Sequence, residues 1–167
     1  FLNEIFPGFD GSGNDHLIDF VQRTLGHWLT GDRREQVLWF AHGTGSNGKS
    51  VLFDLVLWLW GDYGVKLPAN TLMQARGERH PTDLASLRGK RLAVSSELEE
   101  GQHFAEALVK ELTGDATLTA RFMRQDSFSF PMTQKHLMVG NTKPRLHGGD
   151  PAMARRMLLV PFTAKFT

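Results

Sequence analysis

One stretch limits the possible folds more than any other: Val37 to Ser50, VLWFAHGTGSNGKS. An apolar run leads into a glycine-rich loop in which Gly43 is followed, four residues on, by Gly48-Lys49-Ser50. This is the spacing G-x-x-x-x-G-K-[ST], the Walker A pattern of a loop that cradles phosphate. Glycines at 43, 45 and 48 can take backbone angles that a Cβ disfavours, so successive N–H groups can curl round an anion. Lys49 can reach β- and γ-phosphates, and the Ser50 hydroxyl can hold Mg²⁺. A helix starting near Lys49 would turn the positive end of its dipole on the same phosphates. The expected binding residues are Gly43, Thr44, Gly45, Ser46, Asn47, Gly48, Lys49, Ser50 and Val51. The strand before the loop and the apolar helix after it are the context that the motif requires.

The bulk numbers fit one soluble domain. The chain has 167 residues, enough for a sizeable core, with 41% hydrophobic and 22% charged residues. With no cysteine there is neither a disulfide scaffold nor a thiolate metal site, and a reducing cytoplasm is expected. His16, His27, His103, His136 and His147 show no ligand spacing. A net charge of +1 gives no global basic field, so a nucleic-acid partner would have to be met by local patches. The apolar run VLFDLVLWLW is interrupted by Asp54 and is too short to span a bilayer. The chain starts at Phe1 rather than Met, which suggests a piece of a longer protein.

Taken in order, residues 1–14 are expected to be a linker, turn-rich in PGFDGSGND, ahead of one domain over 15–167. Asn14 or Asp15 would cap a helix through Leu29. The helix from Lys49 to Trp60 is apolar nearly all round and is expected to be buried, with Trp58 and Trp60 in the core. GVKL at 64–67 is a short strand. His80-Pro81-Thr82-Asp83 opens a short helix. LAVSS at 92–96 is an apolar strand ending in Glu97-Leu98-Glu99-Glu100, the form of a Walker B element: one carboxylate in the Mg²⁺ shell, another to polarise water. HFAEALVKELT is an amphipathic helix with Phe104, Leu108 and Leu112 on one face. TLTARFMRQDSFSF forms a β-hairpin with Arg121 and Arg124 at or near its tip. His136 to Val139 is a strand ending in Gly140-Asn141, whose amide could touch a terminal phosphate. A short helix over 151–156 and a strand over 157–162 follow. The pattern predicts an α/β fold: an open, mostly parallel sheet with helices on both faces and the ligand at the carboxyl ends of the strands.

Five motifs now stand in order: GTGSNGKS, LAVSSELEEG, LVKELTGDATLTARF, HLMVGNTKP and ARRMLLVPF. Together they resemble the superfamily 3 helicase domain, of AAA+ type, found in phage and plasmid primase-helicases, to which the poxvirus primase-helicase is related. The resemblance covers roughly residues 15–165. It implies an ATP- and Mg²⁺-dependent DNA helicase whose copies form a ring, usually a hexamer, around single-stranded or fork DNA. By position it implies Lys49 and Ser50 on phosphate and Mg²⁺, and Glu97 and Glu99 as the Walker B acids, with Glu100 an alternative to Glu99 and Glu97 on the metal. Asn141 would be the sensor, and Arg155 or Arg156 the finger reaching a neighbour's ATP. Lys110, Arg121 and Arg124 would contact DNA. It implies a phage, plasmid or prophage origin in a bacterial cytoplasm. The family's acids are adjacent, whereas Leu98 separates Glu97 from Glu99 here. A fragment without the priming domain should hydrolyse ATP weakly and prime nothing. The alternatives are a P-loop nucleoside or small-molecule kinase and a nucleotide-binding assembly module without turnover.

Overall fold

The computed structural model describes residues 1–8, 13–74, 81–96, 103–142 and 150–167. Its centre is a five-stranded sheet in the order β2-β3-β6-β1-β7, with every neighbouring pair parallel. The strands are β1 (Leu38–His42), β2 (Gly64–Leu67), β3 (Leu92–Ser96), β6 (Lys135–Gly140) and β7 (Met157–Pro161). A separate antiparallel hairpin, β4 (Thr117–Ala120) and β5 (Phe128–Pro131), is inserted between β3 and β6. The helices are α1 (Leu2–Ile5), α2 (Asp15–Leu29), α3 (Lys49–Trp60), α4 (Pro81–Ala85), α5 (Glu106–Gly114) and α6 (Pro151–Ala154). The expected P-loop architecture, open and parallel with a hairpin insertion, is the observed one.

Alternation along each strand builds two cores, one on each face, because successive side chains point to opposite sides. Trp39, Ala41, Leu92, Val94, Leu137 and Val139 face α2 and α3. Leu38, Phe40, Ala93 and Met138 face α5 and the hairpin. Covered on both faces, the central strands read as continuous apolar runs rather than alternating ones. The buried polar residues on the described strands are Ser95 in β3 and Lys135 and His136 in β6.

Local chemistry sets the element ends. Asn14 caps α2, its side-chain oxygen accepting from Leu17 N–H at 3.2 Å. The apolar stripe of α2 delivers Trp28 edge-on to Trp39, centroids 5.4 Å apart. Gly61, at φ +50°, closes α3 in a conformation that a Cβ would resist.

Two expectations are corrected. Residues 1–14 are not merely a linker, since Ile5 and Phe6 are wholly buried and belong to the core beneath α3. Nor is α3 buried all round. Leu52, Phe53 and Val56 pack on the sheet, while Val51, Leu55, Trp58 and Leu59 are exposed, Trp58 at 76%. A helix lying on one face of a sheet has only one side covered, so an all-apolar sequence does not make an all-buried helix. Trp60 is half-buried against the same core.

Candidate functional site

The loop after β1 is held in a shape that few sequences allow. Gly45, Ser46 and Gly48 have φ of +98°, +46° and +83°. Two of the three are glycines, which take such angles at little cost. The loop feeds straight into α3, which starts at Lys49. Its N–H groups and the helix dipole therefore face the same space, a cleft of about 510 Å³. The cleft is lined by Gly45 to Val51, by Phe53 and Asp54 of α3, by Lys66 of β2, by Val94 and Ser96 of β3, and by Val139, Gly140 and Asn141 at the end of β6.

Lys49 sits at the centre. Its Nζ donates to the Gly43 carbonyl at 2.9 Å, to Asn47 Oδ1 at 2.8 Å and to Asn141 Oδ1 at 3.3 Å. Burial pushes the Lys49 ammonium below its usual pKa, which marks a cation with too little solvent and no anionic partner among the described residues. A polyphosphate would supply that missing charge. Gly45 lines this cleft, and a Cβ on it would meet nothing within 4 Å. Residue types, dihedrals and open volume all fit a nucleotide polyphosphate.

Strand order explains why Asn141 reaches Lys49 across 92 residues of sequence. β6 lies directly beside β1, in register with Ala41 opposite Val139 and His42 opposite Gly140. β3 lies on the other side of β6, and Ser96, its last residue, lines the cleft. Glu97, Glu99 and Glu100 lie outside the described residues. His42 at the end of β1 stacks on Phe40, ring centroids 6.1 Å apart, as a packed strand end.

The two late arginines have different surroundings. Arg156 is buried: its Nε donates to Thr113 Oγ1 at 3.1 Å and its Nη1 to the Ala152 carbonyl at 2.7 Å, tying α6 to the end of α5. Arg155, the next residue back, is exposed. Lys110 pairs with Asp150, the N-cap of α6, and this ammonium holds the Asp150 carboxyl below its usual pKa. Arg121 and Arg124 are both exposed on the connection between β4 and β5, Arg124 at φ +59°. Beside them Phe122 stacks on Phe128, centroids 5.6 Å apart, and the Arg88 guanidinium lies over Phe128 at 5.3 Å.

Sequence reasoning missed Asp54 and Lys66, an ion pair at 3.8 Å at the cleft. The helical period offered a signal for one of them, since Asp54 lies one turn after Ser50 on the same side. Lys66 carries no such signal, because its place depends on which strand neighbours which.

Residues 41–156 match the model of a family described as "Family of unknown function (DUF5906)". A candidate helicase of Acanthamoeba polyphaga mimivirus is 26% identical over 168 residues, 99% of this chain and 17% of that protein. One from Invertebrate iridescent virus 3 is 30% identical over 173 residues, 99% of this chain and 18% of that protein. A third, from Frog virus 3, is 28% identical over 88% of this chain and 16% of that protein. The chain thus spans less than a fifth of the length of these curated relatives. All are from viruses named for an amoeba, invertebrates or a frog, so the bacterial phage or plasmid origin expected from the resemblance is not supported. Among solved structures, the NrS-1 C-terminal region in its apo form superposes with a TM-score of 0.63 at 17% identity, covering 87% of this chain and 34% of that one. The JCV helicase does so with a TM-score of 0.58 at 14% identity, covering 98% and 43%. These likenesses mark a helicase-related domain with a P-loop fold. With more than two thirds of its length matched by one family model, the chain belongs to the family of unknown function DUF5906.

Proposed function

We propose that this chain is the ATP-hydrolysing domain of a nucleic-acid helicase, acting at the interfaces of a ring of identical copies. The observation that carries the reading is the convergence of the Lys49 ammonium, at the start of α3, and the Asn141 amide, just after β6, on one side of a glycine cradle. Phosphoryl transfer to water needs positioned phosphates, positive charge for the transition state and an oriented nucleophile. The loop N–H groups and Lys49 bind and orient the phosphates. Asn141, exposed at the cleft, is the amide that can hold the attacking water or the terminal phosphate. Mg²⁺ would be held by the Ser50 hydroxyl and Glu97, and would neutralise charge on the β- and γ-phosphates. Glu99 or Glu100 would be the base.

Arg155 is the better candidate for a finger reaching a neighbour's nucleotide, because it is exposed while Arg156 is committed to bonds within its own subunit. The hairpin is the better candidate for the nucleic-acid contact. Its connection carries Arg121 and Arg124 for phosphate and the exposed Phe122 for stacking a base, the combination that single strands favour. Lys110, paired with Asp150, is less free to serve there.

The test is ATP hydrolysis by an assembly-competent form with and without single-stranded DNA, with mass measured by light scattering on the same samples. Turnover should rise with DNA and track assembly. Lys49→Ala should lower it by about 10²-fold or more, as expected when one preorganised positive donor is removed. A folded Lys49→Ala protein with full turnover would overturn the reading. Phosphate delivered to a nucleoside instead of water would move the chain to the kinases.

A further inference from the structure

An ammonium has three N–H bonds to give, and those of Lys49 are all engaged, by Gly43, Asn47 and Asn141. The acceptors differ in freedom. Asn141 is exposed and makes the longest bond, 3.3 Å. Asn47 is only 2% exposed, and its Nδ2 donates to the Phe162 carbonyl at 3.2 Å. The amide therefore has two fixed ends, oxygen on the lysine and nitrogen on the residue that follows β7. Turning it over would set an NH₂ against an ammonium and an oxygen against a carbonyl, so the network dictates its orientation.

The surroundings leave this link no slack. A Cβ on Gly43 would lie 2.2 Å from the Phe162 carbonyl oxygen and 2.3 Å from Asn47 Nδ2. Gly43 has an ordinary φ, so its glycine is required by this close approach and not by backbone angle. Phe162 N–H bonds the His42 carbonyl at 2.8 Å, and Phe166 N–H bonds the Ser46 carbonyl at 2.7 Å. The phosphate loop is thus fastened to the segment after β7 at His42, Ser46 and Asn47.

We infer that Asn47 is a positioning residue of the phosphate site: its side-chain amide holds the Lys49 ammonium over the loop and fastens that loop to the carboxyl end of β7. The inference deepens the ATP reading above and rests on it for the ligand. It goes beyond the loop consensus, which leaves this position open to any residue. An arriving phosphate must take at least one N–H of Lys49. The bond to Asn141 is the one released, because Asn47 would have to break a buried bond to move and Asn141 would not. Asn47 then keeps the lysine aimed, and Asn141 is free for the terminal phosphate or water.

The experiment is a double-mutant cycle on ATP·Mg²⁺ affinity, measured by fluorescence titration of the intact chain and of its Asn47→Ala, Lys49→Met and doubly substituted forms. Asn47→Ala should weaken binding by about tenfold or more, the scale of a hydrogen bond to a charged group. In the Lys49→Met background it should change affinity by less than about threefold, because the partner through which it acts is gone. Equal losses in both backgrounds, or no loss with Lys49 present, would overturn the inference. A second readout needs no nucleotide: the rate at which an acylating reagent modifies Lys49, relative to exposed Lys165 of the same chain, read by mass spectrometry. Asn47→Ala should speed Lys49 modification several-fold, and an unchanged ratio would overturn the inference. If that contrast appears while the wild-type chain fails to bind ATP, the ATP reading falls and the hold on Lys49 stands. Should Asn47→Ala not fold, Asn47→Asp keeps the shape and the oxygen facing Lys49 but loses the donor to Phe162. It should slow Lys49 acylation and weaken ATP binding at least tenfold, whereas lost binding with unchanged acylation would overturn the inference.

Discussion

At the scale of single residues, adjacent side chains here do different work. Arg155 and Arg156 are indistinguishable in sequence, yet the chain leaving α6 after Ala154 turns the first outward and the second under Thr113. Arg156→Ala should therefore destabilise the fold by about 2–3 kcal/mol, a buried donor set to charge-assisted bonds being lost. Arg155→Ala should leave the urea midpoint unchanged but abolish turnover, with partial recovery on mixing with Lys49→Ala protein; no recovery at any ratio would argue against a shared site. His136 makes a second residue-scale case. Wholly buried, and near the Arg33 charge, it is pushed down from 6.5 to about 3. The folded state thus refuses a proton that the unfolded state accepts between those two values. Stability is fully present above about pH 6.5 and falls as pH drops through that window, by about 2 kcal/mol at pH 5 from this group. Urea midpoints at pH 5 and 7 would check it, and His136→Gln, which takes up no proton, should flatten the decline. No pattern in sequence separates a buried His from an exposed one here; its neighbours in space decide.

At the scale of elements, local signals were legible and cover was not. The cap Asn14, the stripe of α2, the glycine-lysine-serine junction of α3 and the apolar strand runs were all readable, because each depends on residues within a turn or two. The uncovered side of α3 was not, because apolar residues stand on both its faces and only the sheet determines which face is needed. Trp28 and Trp58 put numbers on this. Trp28 lies between Trp39 and Phe53 at 2% exposure, so Trp28→Ala should cost about 3–5 kcal/mol. Trp58 is 76% exposed, so Trp58→Ala should fall within about 0.5 kcal/mol of wild type. Urea denaturation of both variants separates the two cases. Equal losses would mean that the outer face of α3 is covered in solution.

At the scale of the whole molecule, strand order is the information that sequence withheld and function most needs. Nothing in HLMVGN says that it enters beside β1, yet this neighbour relation is what carries Asn141 to Lys49. The tie from Asn47 to Phe162 spans 115 residues and was equally invisible. A net charge of +1 means that any hold on nucleic acid rests on local groups. Arg121→Ala and Arg124→Ala should each reduce the slope of log affinity against log salt for single strands by about 0.7. Phe122→Ala should weaken binding by about tenfold with the slope unchanged, because stacking releases no counterions. Fluorescence anisotropy across a salt series distinguishes these outcomes. The outer strands β2 and β7 are four and five residues long, and they carry Lys66 and Pro161. A lysine at one rim must keep its charge in water, and a proline at the other offers no N–H to a visiting strand, so both rims are poor seeds for ribbon growth. With so little net charge to keep molecules apart, it is these two blunt flanks that guard a crowded solution against stacking.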